Sequence, residues 1–282
     1  MWPFSNRPTV PVLRFSGPIG MATPLRPGFS LASAAPAIEK AFASSKLPTV
    51  AIVINSPGGS PVQSHLIYRR LRQLATERKK RIYVFCEDVA ASGGYFLALA
   101  GDEIYADPSS IVGSIGVISA GFGFDKAIER FGIERRVYTS GLAKSTLDPF
   151  LPEKPDDVAR LKALQQEVHE VFIGIVKERR AGKLTAGDDE LFSGAFWSGP
   201  KARALGLVDG LSDMRSKMQA LHGESVRLRA IPMQPAGLLG RLRRLPQIGM
   251  SDIIAGEPSA LTFADDLVSS LEARALWSRF GF

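Results

Sequence analysis

The chain contains a continuous run of apolar and largely β-branched residues, Thr49-Val-Ala-Ile-Val-Ile54, that is suited to burial on both sides. Its apolar character does not alternate from residue to residue, which is typical of a strand covered on both faces of a sheet. The run stops at Asn55-Ser-Pro-Gly-Gly59, a strong turn signal, and a long helical pattern follows over Ser60–Lys80. A strand that passes through a tight turn into a helix predicts an α/β fold.

Strand and helix patterns alternate along most of the chain. Alternation at this spacing predicts an α/β domain built from stacked βα or ββα units. The predicted strands cover residues 10–15, 49–54, 81–86, 103–106, 111–118, 133–138 and 226–230. The predicted helices cover residues 31–46, 60–80, 95–100, 124–131, 155–180, 201–205 and 213–221.

The helix predicted over Pro155–Arg180 is long and amphipathic. Such a helix packs on the core or carries a subunit contact, and the sequence leaves both open. Its stripe of predicted buried side chains consists of Leu161, Leu164, Val168, Val171, Phe172 and Ile175. The pattern weakens after residue 230, so we predict one domain over residues 1–230 and a basic, leucine-rich and aromatic extension over 231–282.

Composition excludes few functions. The 282 residues suffice for one sizeable domain, and the net charge of +7 selects no class of partner. The single cysteine, Cys86, excludes an intrachain disulfide, and its apolar strand pattern predicts a buried thiol.

The three histidines form no cluster with Cys or Glu at metal-ligand spacing, so we expect no metal and no cofactor. No stretch reaches the ~18 apolar residues of a spanning helix and no secretory signal pattern is seen. We expect a cytoplasmic protein, soluble or peripheral at the inner face of the membrane.

A second glycine-rich turn, Ala91-Ser-Gly-Gly94, also follows an apolar strand pattern and begins a helix. Glycine pairs let another backbone approach closely and leave N–H groups directed into open space, as an oxyanion hole requires. Ser92 lies in this turn between small residues, where its hydroxyl is either a nucleophile or the N-cap of the helix. Phosphate-binding turns have a similar pattern, so the glycines alone do not decide between these roles.

A serine nucleophile needs a base. His65, His169 and His222 have no context that indicates a Ser-His-Asp triad. A lysine can serve when apolar surroundings lower the pKa of its amine from about 10.4 to roughly 7–8. Lys144 lies in Ser140-Gly-Leu-Ala-Lys-Ser145 among small and apolar residues, whereas most lysines lie in charged runs. Lys144 is therefore the candidate base, with an ordinary surface charge as the alternative.

Four motifs occur in one order along the chain: Asn55-Ser-Pro-Gly-Gly59, Ala91-Ser-Gly-Gly-Tyr95, Gly113-Ser-Ile-Gly-Val117 and Ser140-Gly-Leu-Ala-Lys144. Together they resemble the motifs of the SppA-type signal peptide peptidases, in their short single-domain form. Four ordered motifs are far more specific than any one of them. The resemblance covers roughly residues 10–215 of the chain.

This resemblance implies a Clp-protease/crotonase-like spiral of ββα units with a long amphipathic helix and a C-terminal extension. It implies that Ser92 is the nucleophile, that Lys144 is the general base and that Ser114 orients the lysine amine. It also implies that the backbone N–H groups of Gly59 and Gly93 form the oxyanion hole. Short members complete the dyad across a subunit boundary, so we expect a ring-shaped homo-oligomer that acts on peptide substrates, with the dyad shared between subunits.

The Ser114 hydroxyl suits this role because a carboxylate in its place would hold the amine charged. A turn serine is the alternative for Ser114. Many bacterial members carry an N-terminal membrane anchor, and none is seen here. The basic stretch Leu238–Leu245 and the aromatic end of the chain are suited to peripheral contact with a membrane surface, to packing on a neighbouring subunit or to disorder, and the sequence leaves these open. We expect no nucleic-acid partner.

The leading hypothesis is a serine endopeptidase that hydrolyses unstructured or signal-peptide-like peptides. An enoyl-CoA hydratase-like enzyme would use the same paired N–H groups, but it typically needs acidic residues that neither glycine turn supplies. A Clp-type protease needs a histidine soon after Ser92, and residues 92–140 contain none. An inactive scaffold is the third alternative, and the intact set of Ser92, Ser114 and Lys144 argues against it.

Overall fold

The computed structural model describes residues 7–20, 28–141, 143–233, 277–278 and 280. Strands and helices alternate through these residues, and the predicted α/β class is confirmed. The strands are β1 (Thr9–Ser16), β2 (Thr49–Ser56), β3 (Arg81–Ala91), β4 (Glu103–Ala106), β5 (Ile111–Gly113), β6 (Phe196–Ser198), β7 (Gly210–Leu211) and β8 (Arg227–Ala230). The helices are α1 (Leu31–Ala43), α2 (Pro61–Glu77), α3 (Gly93–Ala98), α4 (Asp125–Arg130), α5 (Pro155–Arg179), α6 (Asp188–Leu191), α7 (Gly199–Ala204) and α8 (Met214–His222).

These strands form one branched sheet. Its main order is β6-β5-β3-β2-β1-β8, while β4 pairs with β3 and β7 pairs with β4. The pairs are parallel except for β5 with β6. β3 pairs with β4 over Tyr83–Cys86 and with β5 over Val89–Ala91, so the sheet divides in two along this strand.

The division lies where β3 bulges away from β2, with a register shift between Ile54 and Ser56. The Asn55 amide spans this bulge. Its Nδ2 donates to Asp88 Oδ2 at 2.6 Å, and its Oδ1 accepts a hydrogen bond from the Val89 N–H at 3.2 Å. The first residue of the Asn-Ser-Pro-Gly-Gly turn therefore fixes the last part of β3.

Both faces of β2 are buried, as the apolar run predicts. Ile52 and Ile54 face the main core, which is covered by α1, α2, α3 and the last turns of α5. Ala51 and Val53 face a second cluster that includes Met218 of α8. The sheet is therefore the middle layer between helices.

Three predicted strands are wrong in extent or type. Residues 133–138 form no strand, and no strand pairs with them in the part of the chain that the structure describes. Ile133 and Tyr138 are 58% and 91% exposed, so the segment has no layer on which to pack. The strand predicted over 111–118 ends at Gly113 because Gly113 and Ser114 both adopt positive φ, which extended strands exclude. In contrast, β3 continues to Ala91, beyond its predicted end at Cys86.

The predicted buried stripe of α5 is confirmed only in part. Phe172 is buried, whereas Leu164 is 56% and Val171 51% exposed. Leu161, Val168 and Ile175 are half-buried. The difference arises because α5 reaches the main core only in its last turns, and there on the face that carries Phe172 and Val176.

The predicted extension over 231–282 is described in part. Ile231 is buried, and its N–H donates to Val12 O at 2.9 Å, which continues the line of β8 along β1. Trp277 and Phe280 pack near β3 and β5. The stretch Leu238–Leu245 lies outside the described residues.

Arg180 follows α5 as a buried charge with several partners. Its Nε donates to Gly206 O and its Nη1 to Asp209 Oδ2, both at 2.8 Å. Asp209 also accepts from Lys183 Nζ at 2.6 Å and from the Ile104 N–H at 2.7 Å. These bonds tie the end of α5 to β4 and to the turn after α7.

Asp209→Asn is expected to lower the free energy of unfolding at neutral pH by about 3 kcal/mol, because it weakens the partner of a buried charge. Burial opposes ionisation of Asp209, but hydrogen bonds from Arg180, Lys183 and the Ile104 N–H outweigh burial and lower the pKa of the carboxyl. A lowered folded-state pKa gives stability that is present above the unfolded-state value of about 3.9 and is lost as the pH falls through the folded-state value. Urea unfolding should therefore show a steeper loss of stability below about pH 4 in wild type than in the variant.

The exposed pair of Glu190 and Lys201 provides the control for this stability prediction. Glu190→Gln is expected to change the free energy of unfolding by less than about 1 kcal/mol, because exposed ion pairs contribute little. An equal loss of stability in acid for wild type and Asp209→Asn would contradict the role assigned to Asp209.

Candidate active site

Ser92 lies between the end of β3 and the start of α3, in a strained conformation. Its φ of 52° and ψ of −123° are costly for a residue with a side chain, by about 1–3 kcal/mol. Ser92 occupies the N-cap position of α3, but its side chain makes no cap hydrogen bond. The backbone is held instead, since the Ser92 N–H donates to Gly113 O at 2.8 Å and Ser92 O accepts from the Phe96 N–H at 2.9 Å. The hydroxyl is therefore positioned without being engaged as a cap.

The two glycine-rich turns meet beside Ser92. A methyl group built on Gly58 would lie 2.8 Å from both Gly93 N and Ser92 Cβ, so only glycine allows this approach. A methyl group built on Gly93 would lie 3.3 Å from Gly59 N. Among the hydrogen bonds of the described residues, neither the Gly59 nor the Gly93 N–H is a donor. Two adjacent N–H groups next to a serine hydroxyl are the arrangement that stabilises an oxyanion.

Ser114 follows β5 and is coupled to Ser92 through the backbone. It is buried and adopts a φ of 52°, as Ser92 does. Its N–H donates to Ala195 O at 2.7 Å, and the preceding Gly113 carbonyl accepts the Ser92 N–H. Ser92 and Ser114 line one cavity of about 390 Å³, together with Gly116, Val117, Ile118, His169, Phe192, Ser193 and Gly194. The structure therefore brings both serines to one site.

A second, smaller cavity of about 30 Å³ also adjoins Ser92. It lies between the start of α2, α3 and the second half of α5. Its walls are largely apolar: Gly59, Pro61, Ser92, Gly93, Phe96, Gly116, Val117, Val168 and Phe172. A space of this size and character accepts a small apolar group and excludes a charged one.

His169 of α5 is a site residue that the sequence did not reveal. It lines the larger cavity, and its Nε2 donates to Ile115 O at 3.0 Å, because a carbonyl can only accept. Its surroundings in the sequence are polar and carry no catalytic motif. The sequence offers one signal for His169, its position on α5 next to Val168 and three residues before Phe172. Both of these neighbours line the smaller cavity.

Lys144 is the predicted site residue that this chain does not bring to Ser92. It lies in an exposed turn, where its N–H donates to Gly141 O at 3.2 Å. Of the cavities lined by the described residues, neither of the two at Ser92 includes Lys144. Among the described residues of one chain, Ser92, Ser114, Gly59 and Gly93 thus line these two cavities, and Lys144 lines neither.

Three further observations concern Cys86, metal binding and membrane-spanning helices. Cys86 is buried, and burial raises the pKa of its thiol to about 12, so the predicted buried strand residue is confirmed and a thiolate nucleophile is disfavoured. The described residues contain no group of three His, Cys, Asp or Glu side chains placed to hold a metal ion. None of the helices formed by these residues is both long enough and apolar enough to cross a membrane.

Comparison with known proteins identifies the family. The sequence profile of peptidase family S49 matches residues 75–226, more than half of the chain. The chain belongs to peptidase family S49. It therefore has the Clp-protease/crotonase-like fold of that family, and the predicted resemblance to SppA-type peptidases is confirmed. The matched range contains Ser92, Ser114 and Lys144.

Relatives of this S49 peptidase include a putative protease of Synechocystis, 31% identical over 75% of this chain and 73% of that protein. The chloroplastic serine protease SPPA of Arabidopsis thaliana is 28% identical over 94% of this chain and 39% of that protein. A Brucella abortus protein named Na(+)/H(+) antiporter NhaA is 58% identical over 96% of this chain. The chain spans 37% of the length of that Brucella protein, so its name describes a longer molecule.

Proposed function

We propose that this S49 peptidase cleaves unstructured or signal-peptide-like peptides through an acyl-enzyme on Ser92, with Lys144 as the general base. The observation that carries the proposal is the Ser92 hydroxyl, which makes no cap bond and lies beside the Gly59 and Gly93 N–H groups where two cavities meet. A peptide that crosses this point presents its carbonyl carbon to Ser92 and its carbonyl oxygen to the two N–H groups.

The proposed reaction has two stages. Ser92 Oγ attacks the carbonyl carbon while its proton passes to the neutral Lys144 amine, and the Gly59 and Gly93 N–H groups stabilise the oxyanion. The ammonium of Lys144 then gives the proton to the leaving nitrogen, and the C–N bond breaks to leave an ester on Ser92. Water then loses a proton to the same amine and attacks the ester carbon. The ester bond breaks, the ammonium returns its proton to Ser92 Oγ, and the acid product leaves. Ser114 accepts a hydrogen bond from the amine and orients it.

The lysine of each site is proposed to come from a second copy of this chain in a ring-shaped oligomer. Lys144 lies within residues 118–151, a segment that is largely exposed although it carries large apolar side chains, including Phe122, Phe131 and Tyr138. The helix α5 adds the exposed Leu164 and Val171. Apolar surface of this extent is typical of a protein interface. Contact with a neighbouring copy would cover it and remove water from the Lys144 amine, which favours the neutral form that accepts a proton.

The smaller cavity supports a preference for small apolar side chains next to the cleaved bond. Its walls include Pro61, Val117, Val168 and Phe172, and its volume is about 30 Å³. A charged side chain would lose its hydration there without gaining a partner among these residues.

A fluorophosphonate probe is expected to label wild-type protein at Ser92, with loss of labelling and of peptide cleavage in both Ser92→Ala and Lys144→Ala. Cleavage of an unstructured alanine-rich peptide should fall about 10³-fold or more in each variant. Residues that act as one catalytic unit depend on each other, so the loss of either one removes most of the rate enhancement that the unit provides. Lys154→Ala, which removes an exposed lysine ahead of α5, should retain full activity.

Two outcomes would contradict the proposal. Full cleavage in either the Ser92 or the Lys144 variant would exclude the dyad. Absence of labelling in wild-type protein that is assembled as an oligomer would instead favour an inactive scaffold.

A further inference from the structure

Phe280 and Trp277 cover a small apolar cluster on the sheet. Phe280 is 6% exposed and packs with Val89 and Ala91 of β3, which are fully buried, while Trp277 and Ile111 of β5 pack at the edge. The intervening Ala90 and the following Val112 belong to the main core. Because side chains alternate between the faces of a strand, Phe280 lies on the face of the sheet opposite the main core.

This cluster lies directly behind the two serines. Ala91 immediately precedes Ser92, and Ile111 begins the short strand that leads into Ser114. Phe280 also contacts Phe196 of β6, with ring centroids 5.1 Å apart and planes at 70°. One aromatic ring therefore contacts β3 and β6, the two strands that flank β5.

Phe196 connects this cluster to Ser114. It pairs with Gly113 across β5 and β6, and the preceding Ala195 carbonyl accepts the Ser114 N–H. A displacement of β6 would therefore move the backbone that holds Ser114.

The active-site cavities lie on the other side of these strands. The smaller cavity is lined by Phe96 and Phe172, which are members of the main core. Phe280 thus lines neither cavity at Ser92, and any effect on the reaction has to pass through the strands. The strained φ of 52° at both Ser92 and Ser114 requires that the surrounding structure fix the backbone firmly.

We infer that Phe280 is a positioning residue for the reaction: it holds β3 and β6 from the far face of the sheet and thereby keeps Ser92 and Ser114 in their reactive conformation. The inference rests on the proposed role of Ser92. The family match ends at residue 226, so this contact is contributed by a part of the chain beyond the matched region.

Phe280→Ala in the full chain is expected to lower kcat and the rate of fluorophosphonate labelling at Ser92 about tenfold, with KM changed less than about twofold, because small misplacements of reacting groups are costly. Phe280→Leu should lie between wild type and Phe280→Ala. Met218→Ala is the matched control, since it truncates a buried side chain of α8 that packs against the same face of the sheet. It should lower Tm without changing kcat or the labelling rate.

Several results would overturn this inference. A lower Tm for Phe280→Ala with unchanged kcat and labelling rate would make Phe280 merely structural, and a change confined to KM or a rise in kcat would exclude positioning. Wild-type protein that is neither labelled nor active would overturn the proposed function as well, whereas active wild type with an equally active Phe280→Ala overturns only the positioning role.

If Phe280→Ala does not fold, Phe280→Leu, Phe196→Leu and the double variant carry the test. Because the two rings contact each other, the double variant should be labelled no more slowly than the slower single variant. Effects that multiply would show that the two residues act independently and would contradict the inference.

Discussion

Protein mixed from Ser92→Ala and Lys144→Ala chains is expected to recover peptide cleavage that neither variant has alone. Within one chain the described structure leaves Lys144 in an exposed turn, away from the residues that line the cavities at Ser92. If each site takes Ser92 from one copy and Lys144 from its neighbour, random co-assembly at equal ratio restores about one quarter of the sites. Co-expression of the two variants followed by a cleavage assay measures this fraction.

The control for this experiment pairs Lys144→Ala with the double variant that lacks both Ser92 and Lys144. That mixture contains intact serines but no catalytic lysine, so it should remain inactive whatever its assembly. Recovery limited to the first mixture identifies a shared site. A co-assembled first mixture that stays inactive would place both members of the dyad in the same chain and contradict the shared arrangement.

Gly93→Ala is expected to lower kcat about 10²-fold, the loss typical when one oxyanion contact is removed. The new methyl group would lie 3.3 Å from Gly59 N, the other proposed oxyanion donor. It would also lie 2.5 Å from Ser64 Oγ, which is the end of a side chain and can rotate away from its bond to Ser60 O. The protein should therefore fold while the oxyanion position is crowded, as measured by kcat and Tm together.

Gly174→Ala is the matched control for this substitution. Gly174 lies in the interior of α5, and a methyl group there would meet nothing within 4 Å. It should leave kcat unchanged and raise the free energy of unfolding by up to about 1 kcal/mol, because alanine favours helix. Wild-type kcat in the double variant Gly93→Ala, Ser64→Ala would attribute the loss to the clash with Ser64 and not to the oxyanion position.

The local part of the site could be predicted from the sequence because each element is a short strand–turn–helix unit. Ser92, Gly59 and Gly93 lie in turns whose glycines reveal a close approach of two backbones, and the structure places these turns together. The β-branched run before the first turn likewise predicts a buried strand. Their roles in catalysis stay predictions that the proposed experiments test.

Two of the errors have a common physical cause. The strand pattern at 133–138 and the stripe through Leu164 and Val171 both indicate burial, yet these residues are largely exposed in a single chain. An apolar pattern indicates that a surface is favourably buried, but it does not say whether it is buried within the same chain or against another chain. His169 and Phe280 were missed for another reason, since their positions relative to Ser92 depend on packing between segments far apart in sequence.

The backbone bond from Ser92 to the carbonyl just before Ser114 has a consequence for how activity is turned on. The proposed nucleophile, the proposed oxyanion donors and the hydroxyl proposed to receive the amine all belong to one chain. If the amine arrives from another copy, association delivers one functional group to a site that is otherwise complete. Dilution would then abolish activity by dissociating the oligomer, without unfolding any chain. A newly synthesised chain would be inactive until it associates with further copies.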